Sequence, residues 1–209
     1  MGPPRPVAAW VAGGNTMSPV HSERRSPLWG LVLAGGTSTH GDLDALGPGG
    51  RPLLETLAKT VKPVTDKRVL VLSKYAPFPH SAQHFDLVLR DPFEGPRGPM
   101  AGLAEAMFGH PGVAFLAVAC DDSDFTRADV SALIAERRPP RLACAFEEGD
   151  ALLPLPALYE GGVLPLLFQE LDAGRDSLAR FLADLSEGQL GRVSRRRRTM
   201  APVGGSAAP

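Results

Sequence analysis

The feature that most constrains this chain is a series of short, bulky apolar runs that stop at glycine or at a polar residue. Val113–Cys120 (VAFLAVAC) is the strongest, and Leu28–Ala34 (LWGLVLA) and Lys67–Ser73 (KRVLVLS) resemble it. None shows the apolar–polar alternation of a strand with one wet face. Such runs mark parallel strands covered on both faces. Phe85–Leu89 and Leu142–Phe146 are further candidates. Between the runs lie segments that read as helices: Pro52–Val61, Pro99–Phe108, Arg127–Arg137, Val163–Leu171 and Ser177–Leu185. Thr126 stands where an N-cap is needed, and Asp129 falls in the first turn beyond it. Strands and helices alternating at this length predict an α/β fold, three layers built on a Rossmann-like, mostly parallel sheet.

The boundaries follow from composition. Residues 1–27 are rich in Pro, Gly, Ser and Arg without periodicity, and read as a flexible N-terminal extension in which Arg24-Arg25 is part of a solvated linker. Residues 191–209 read as a basic, low-complexity tail: Arg192–Arg198 holds five arginines, and Thr199–Pro209 is rich in Ala, Gly, Pro and Ser. The domain proper is 28–190. Its 44% hydrophobic content is that of a globular chain, and a formal net charge of -1 gives no overall footprint for nucleic acid or membrane. No apolar run approaches the roughly 18–20 residues of a membrane span, and no secretory leader is expected. The two cysteines, Cys120 and Cys144, are too few for a disulfide framework or a zinc site, and Cys120 reads as a buried, reduced thiol. The expected compartment is the cytoplasm.

In parallel α/β sheets ligands bind beyond the carboxyl ends of the strands. That rule selects Gly35–Leu46, Ser73–Lys74, Arg90–Met100 and Asp121–Asp124. At the first, a strand running through Leu33-Ala34 into Gly35-Gly36 lets backbone approach a ligand closely, and its N–H groups suit phosphate. Neither a P-loop nor a Gly-x-Gly-x-x-Gly dinucleotide fingerprint is present. Ser73 ends a strand, where serine commonly caps a turn. Asp91-Pro92 either initiates a turn or offers an acceptor to a ribose or base. Asp121 is a carboxylate at a strand end, suited to a hard cation that also holds phosphate oxygens, and Asp122 and Asp124 add negative charge.

These places together resemble the molybdenum cofactor guanylyltransferase family, a group of nucleotidyltransferases. That family opens with Leu-Ala-Gly-Gly-x-Ser-x-Arg-Met-Gly-x-Asp-Lys and then Gly-x-Pro-Leu-Leu. Here the chain has Leu33-Ala34-Gly35-Gly36, Ser38, Gly41 and Gly50-Arg51-Pro52-Leu53-Leu54. Asp91 followed by Gly98-Pro99-Met100-Ala101-Gly102-Leu103 is similar to the family's aspartate and helix-opening Gly-Pro-Leu-Ala-Gly-Leu, with Arg97 beside it. Cys120-Asp121 matches the strand end whose aspartate binds Mg²⁺. Pro154–Tyr159, Gly174–Leu178 and Phe181-Leu182 resemble the second half. The family's arginine falls on Thr39 or His40, its lysine on Asp44, and its closing Asn-x-Asn-Thr-Pro is absent.

The resemblance implies transfer of GMP from GTP to molybdenum-molybdopterin, with pyrophosphate released and Mg²⁺ as cofactor. It implies nucleotide contacts from Leu33, Ala34, Gly35, Gly36, Ser73, Asp91 and Asp121, with Asp121 on the metal. The expected partners are GTP, a molybdopterin-type cofactor, and a recipient molybdoenzyme or chaperone, with no nucleic acid and no membrane. The substitution at Asp44 opens a second reading, a nucleotide- or molybdopterin-binding homologue without turnover. A sugar-phosphate nucleotidyltransferase shares the fold, but its Gly-x-Gly-Thr-Arg loop is missing.

Overall fold

The computed structural model describes residues 25–34, 42–47, 49–91 and 98–195. Within them the strands are β1 (Leu28–Ala34), β2 (Lys67–Leu72), β3 (Leu87–Arg90), β4 (Ala114–Ala119), β5 (Ala143–Glu148), β6 (Ala151–Tyr159) and β7 (Leu190–Ser194). The α-helices are α1 (Leu53–Val61), α2 (Gly98–Gly109), α3 (Arg127–Ala135), α4 (Leu164–Asp172) and α5 (Leu178–Asp184). One sheet takes all seven strands in the order β3-β2-β1-β4-β6-β5-β7. β1 pairs in parallel with β2 and β4, β2 with β3, and β5 with β7. β6 runs antiparallel to both of its neighbours, β4 and β5.

Side chains alternate between two cores, as the pleat of a strand dictates. Leu31 and Leu33 of β1 join Val69, Val71, Phe115 and Ala117 against α2, α4 and α5. Val32 and Ala34 join Leu70, Leu72, Leu116 and Val118 against α1 and α3. Both faces are therefore covered, which is why β1 is buried along its whole length. The expected three-layer, mostly parallel α/β sheet is the fold of this chain.

Two strands carry no marker in the sequence. β6 contains Pro154 and Pro156, residues that normally argue against an interior strand. The ladder accommodates them: β5 pairs with β6 at Leu152 and Leu153 and again from Ala157, with a register shift between Ala145 and Phe146. β4 meets β6 only at Ala157–Tyr159. The prolines thus sit in the stretch that neither neighbour pairs. β7 begins at Leu190 and runs to Ser194, so residues 191–194, read as the start of a solvated tail, are part of the sheet. Arg195 follows it, its guanidinium 5.1 Å from the Phe146 ring centroid and its Nε 3.6 Å from Asp129. A local sequence window cannot show such cross-sheet partners.

The Thr126 cap forms as expected. Asp129 N–H donates to Thr126 Oγ1, and the Asp129 carboxylate accepts from Thr126 N–H at 2.8 Å. Glycine is required at one core position: a Cβ on Gly30 would stand 2.6 Å from Val61 Cγ2. Val61 is fully buried and β-branched, so it has little room to yield. Gly30→Ala is expected to lower stability by about 1–3 kcal/mol through overpacking. Chemical denaturation checks this, and an unchanged midpoint would contradict the packing of α1 on β1.

Candidate functional site

Parallel pairing sets the carboxyl ends of β1 to β4 on one edge. The last rungs are explicit: Cys120 N–H donates to the Leu33 carbonyl at 3.0 Å, and Asp91 N–H donates to the Leu72 carbonyl at 2.8 Å. Ala34 is level with Leu72, and Leu72 with Arg90, so Ser73 and Asp91 stand one residue beyond the ladder. Leu33 is level with Ala119, so Asp121 stands two beyond. The structure therefore brings Leu33, Ala34, Ser73, Asp91 and Asp121 to the same edge. With strands about 4.8 Å apart, the span from β3 to β4 is roughly 14 Å. Gly35, Gly36, Ser38, Thr39, His40, Gly41 and Arg97 lie outside the described residues.

Leu33 and Ala34 are buried, so what they offer a ligand is backbone. Leu33 also receives α2. A Cβ on Gly102 would be 3.1 Å from Leu33 Cδ2 and 3.2 Å from Val71 Cγ1. The glycine lets the helix seat directly on β1 and β2. Gly98, at φ +64, opens the helix, and a Cβ there would lie 3.4 Å from the Asp176 carbonyl. The Gly174–Ser177 turn thus borders the start of α2, and the amino end of a helix favours anions.

Asp121 is exposed, and Asp122 beside it is half-buried. Burial pushes the Asp122 carboxyl upward, opposed by the Arg195 guanidinium. Among the described residues, no three carboxylate, imidazole or thiol groups cluster tightly enough to hold a metal by themselves. A lone strand-end carboxylate is still a fit for Mg²⁺, which typically takes one or two carboxylates plus substrate phosphates. Cys120 is buried, and burial, then the neighbouring Asp121, pushes its thiol up to about 12, which favours the neutral thiol.

Three residues at this edge have roles that sequence reasoning missed. Arg90 Nη1 donates to the carbonyls of Ser73, Lys74 and Ala76 at 3.1, 3.0 and 2.8 Å, and its guanidinium is 4.6 Å from the Phe78 ring centroid. It fixes the turn that presents Ser73. Lys74, half-buried, sets its ammonium 5.4 Å from the Tyr75 ring centroid and brings a positive charge to the edge. Glu105 lies on α2; burial, then the negative charge of Asp91, raises its carboxyl above the ordinary range. A signal for Glu105 existed, since it is the one charged residue in the helix GPMAGLAEAMFG.

Asp44, aligned with the family's lysine, has a different task from repelling phosphate. Its carboxylate accepts from the N–H groups of His80 at 2.7 Å and Ser81 at 2.8 Å and from Ser81 Oγ. Burial acts to raise its pKa, but the hydrogen bonds from Ser81 and His80 prevail and lower it. Asp44 thereby staples the 42–47 segment to the 3₁₀ turn His80–His84.

Two outcomes follow. Asp44→Ala should destabilise the fold by about 1 kcal/mol, because the charge-assisted bonds are half-exposed, and Asp44→Lys by at least as much because donors would face a cation. Denaturant midpoints decide this; a stabilised lysine variant would refute the staple. Glu105 is raised in the folded state, so it contributes stability at low pH that is lost as pH rises through its folded value. Glu105→Gln should therefore raise the melting temperature at pH 7 and leave it unchanged well below 4.5, the ordinary glutamate value. Melting curves across pH test the sign.

Known proteins share both the sequence pattern and the fold. Residues 30–190 match the family model described as the MobA-like NTP transferase domain. The molybdenum cofactor biosynthesis bifunctional protein of Synechocystis sp. is 29% identical over 136 residues, which is 62% of this chain and only 38% of that longer protein. Among solved structures, molybdopterin-guanine dinucleotide biosynthesis protein A of Archaeoglobus fulgidus superposes with a TM-score of 0.62 at 16% identity, covering 79% of this chain and 83% of that one. The 4-diphosphocytidyl-2C-methyl-D-erythritol synthase of Anaerococcus prevotii gives 0.60 at 12% identity, covering 83% and 91%. These superpositions show that the chain shares the fold of both proteins. The match across residues 30–190 places the chain in the MobA-like NTP transferase domain family.

Proposed function

We propose that this protein transfers GMP from GTP to molybdenum-molybdopterin, forming the guanine dinucleotide cofactor and releasing pyrophosphate. The observation that carries the reading is the convergence of Leu33, Ala34, Ser73, Asp91 and Asp121 at one sheet edge. The resemblance of Pro154–Tyr159, Gly174–Leu178 and Phe181-Leu182 to the guanylyltransferase pattern supports GTP over CTP.

In this reading a terminal phosphate oxygen of the molybdopterin attacks the α-phosphorus of GTP. The bond from α-phosphorus to the bridging oxygen breaks, and pyrophosphate leaves with that oxygen. Asp121 would hold a divalent cation, Mg²⁺ by the chemistry of its oxygen donor, and such a cation supplies charge neutralisation on phosphate oxygens when bound. The backbone of Leu33 to Gly36 lines the nucleotide, Asp91 accepts from its ribose or base, and Ser73 is presented by the turn that Arg90 braces. The amino end of α2 and the Lys74 ammonium add positive potential. Positioning and fixed charge then carry most of the catalysis. A cytoplasmic setting and a recipient molybdoenzyme or chaperone complete the reading.

Asp44 favours a second reading, binding without turnover, because the family's lysine position is occupied by a residue serving the fold. The discriminating experiment is Mg²⁺-dependent pyrophosphate release from GTP in the presence of molybdenum cofactor, with CTP in parallel. Release with GTP alone is expected, and binding of GTP without release establishes the second reading. Asp121→Asn, at an exposed position, should fold normally and lose on the order of 100-fold or more in turnover; full activity would remove Asp121 from the metal.

A further inference from the structure

The opposite edge of the sheet holds a second concentration of charge. A cavity of about 320 Å³ is lined there by Arg25, Ser26, Arg137, Arg138, Arg141 and Glu160, among others. Its walls come from the residues just before β1, the end of α3, the residues just before β5 and the residue after β6. These all lie at the amino ends of the parallel strands, since β6 runs the other way. β1 spans seven residues, so the cavity is roughly 20 Å from the Asp121 edge.

The arginines divide into two kinds. Arg137 is buried, with Nε donating to Glu160 at 2.6 Å, and Nη2 to Glu160 at 3.2 Å and to the Ser26 carbonyl at 2.7 Å. It is a fixed floor that ties the start of β1 to α3 and β6. Arg141 donates to the carbonyl of Glu136 at 2.9 Å and to its carboxylate. Arg138 has no such engagement. Its side chain is 63% exposed and its Nη2 is 3.8 Å from Glu136. Arg25, read from sequence as part of a solvated linker, is an exposed lining residue with no ion pair to any described residue. Four guanidiniums thus meet one carboxylate within the lining and one, Glu136, beside it. Burial dominates at Cys144 and pushes its thiol up to about 11; Arg141 pulls it down, Glu160 pushes it up, and Arg137 and Arg138 pull it down.

We propose that this cavity is a binding site for a small phosphorylated anion, separate from the nucleotide edge. A guanidinium presents a planar fork of donors matched to phosphate oxygens, and is more weakly hydrated than an ammonium. The prepaid burial of Arg137 gives the site a rigid base, and Arg25 and Arg138 close on the anion from the rim. The volume lies in the ~300–1,000 Å³ range of small-molecule sites. The site does not depend on the guanylyltransferase reading.

Titration calorimetry of the full chain with inorganic pyrophosphate, in low-salt buffer stripped of divalent cations, tests the proposal. Inorganic phosphate is run beside it to separate recognition of one phosphate group from two. Binding with a Kd below about 1 mM is expected. Arg25→Gln/Arg138→Gln should weaken it by at least about tenfold, since two charge-assisted contacts are lost. Both positions are exposed, so the unliganded melting temperature should not move; if it does, Arg138→Lys, which keeps the charge but not the fork, provides the same comparison in a minimally altered chain. The proposal is overturned by the absence of binding, or by equal binding in the arginine variants, which would put the anion elsewhere on the protein.

Discussion

The parallel pairing of β1 with β2 on one side and β4 on the other is the constraint on which the rest of the molecule depends. Because those strands are hydrogen-bonded on both edges, they have only their faces left to bury. Helices must therefore cover both, and the β–α connections return every chain crossing to the same end. That end is where Ala34, Ser73, Asp91 and Asp121 emerge. The site is a consequence of strand direction before it is a consequence of any side chain. The close seat of α2 on Leu33 and Val71, permitted by Gly102, adds a helix start to the same edge.

The legible part of this chain was the part whose physics is local or periodic. Five strands and five helices announced themselves through unbroken apolar runs and helical spacing, and Thr126 through the ordinary chemistry of a cap. β6 did not, because two prolines in a strand look prohibitive until a register shift leaves them unpaired. β7 did not, because Leu190–Ser194 is short and half polar, and takes its stability from β5 and from contacts such as Arg192 to Glu147 at 2.5 Å.

At the site the same division holds. Strand-end aspartates and a Gly-Gly loop are visible because their position in the α/β plan gives them meaning. The role of Asp44 was not visible, since the donors that engage it come from thirty-six and thirty-seven residues away. A carboxylate read as misplaced against phosphate is, in three dimensions, saturated by Ser81 and His80. Arg90 was likewise legible as a strand end but not as the brace of three carbonyls. Alignment position alone thus misjudged a residue whose chemistry is set by long-range partners.

The reversed strand has a consequence for how the chain comes into being. β6 follows β5 in sequence yet lies between β4 and β5, and β4 is among the most apolar strands in the molecule. While the chain is being made from its amino end, β4 is complete well before the strand that covers its outer edge exists. Until the β5–β6 hairpin docks, a row of unpaired N–H and C=O groups flanked by Phe115, Leu116 and Val118 is open to any other extended chain. A polypeptide halted near Asp150 would carry that edge permanently, and its fate would be self-association in place of a smaller, soluble domain.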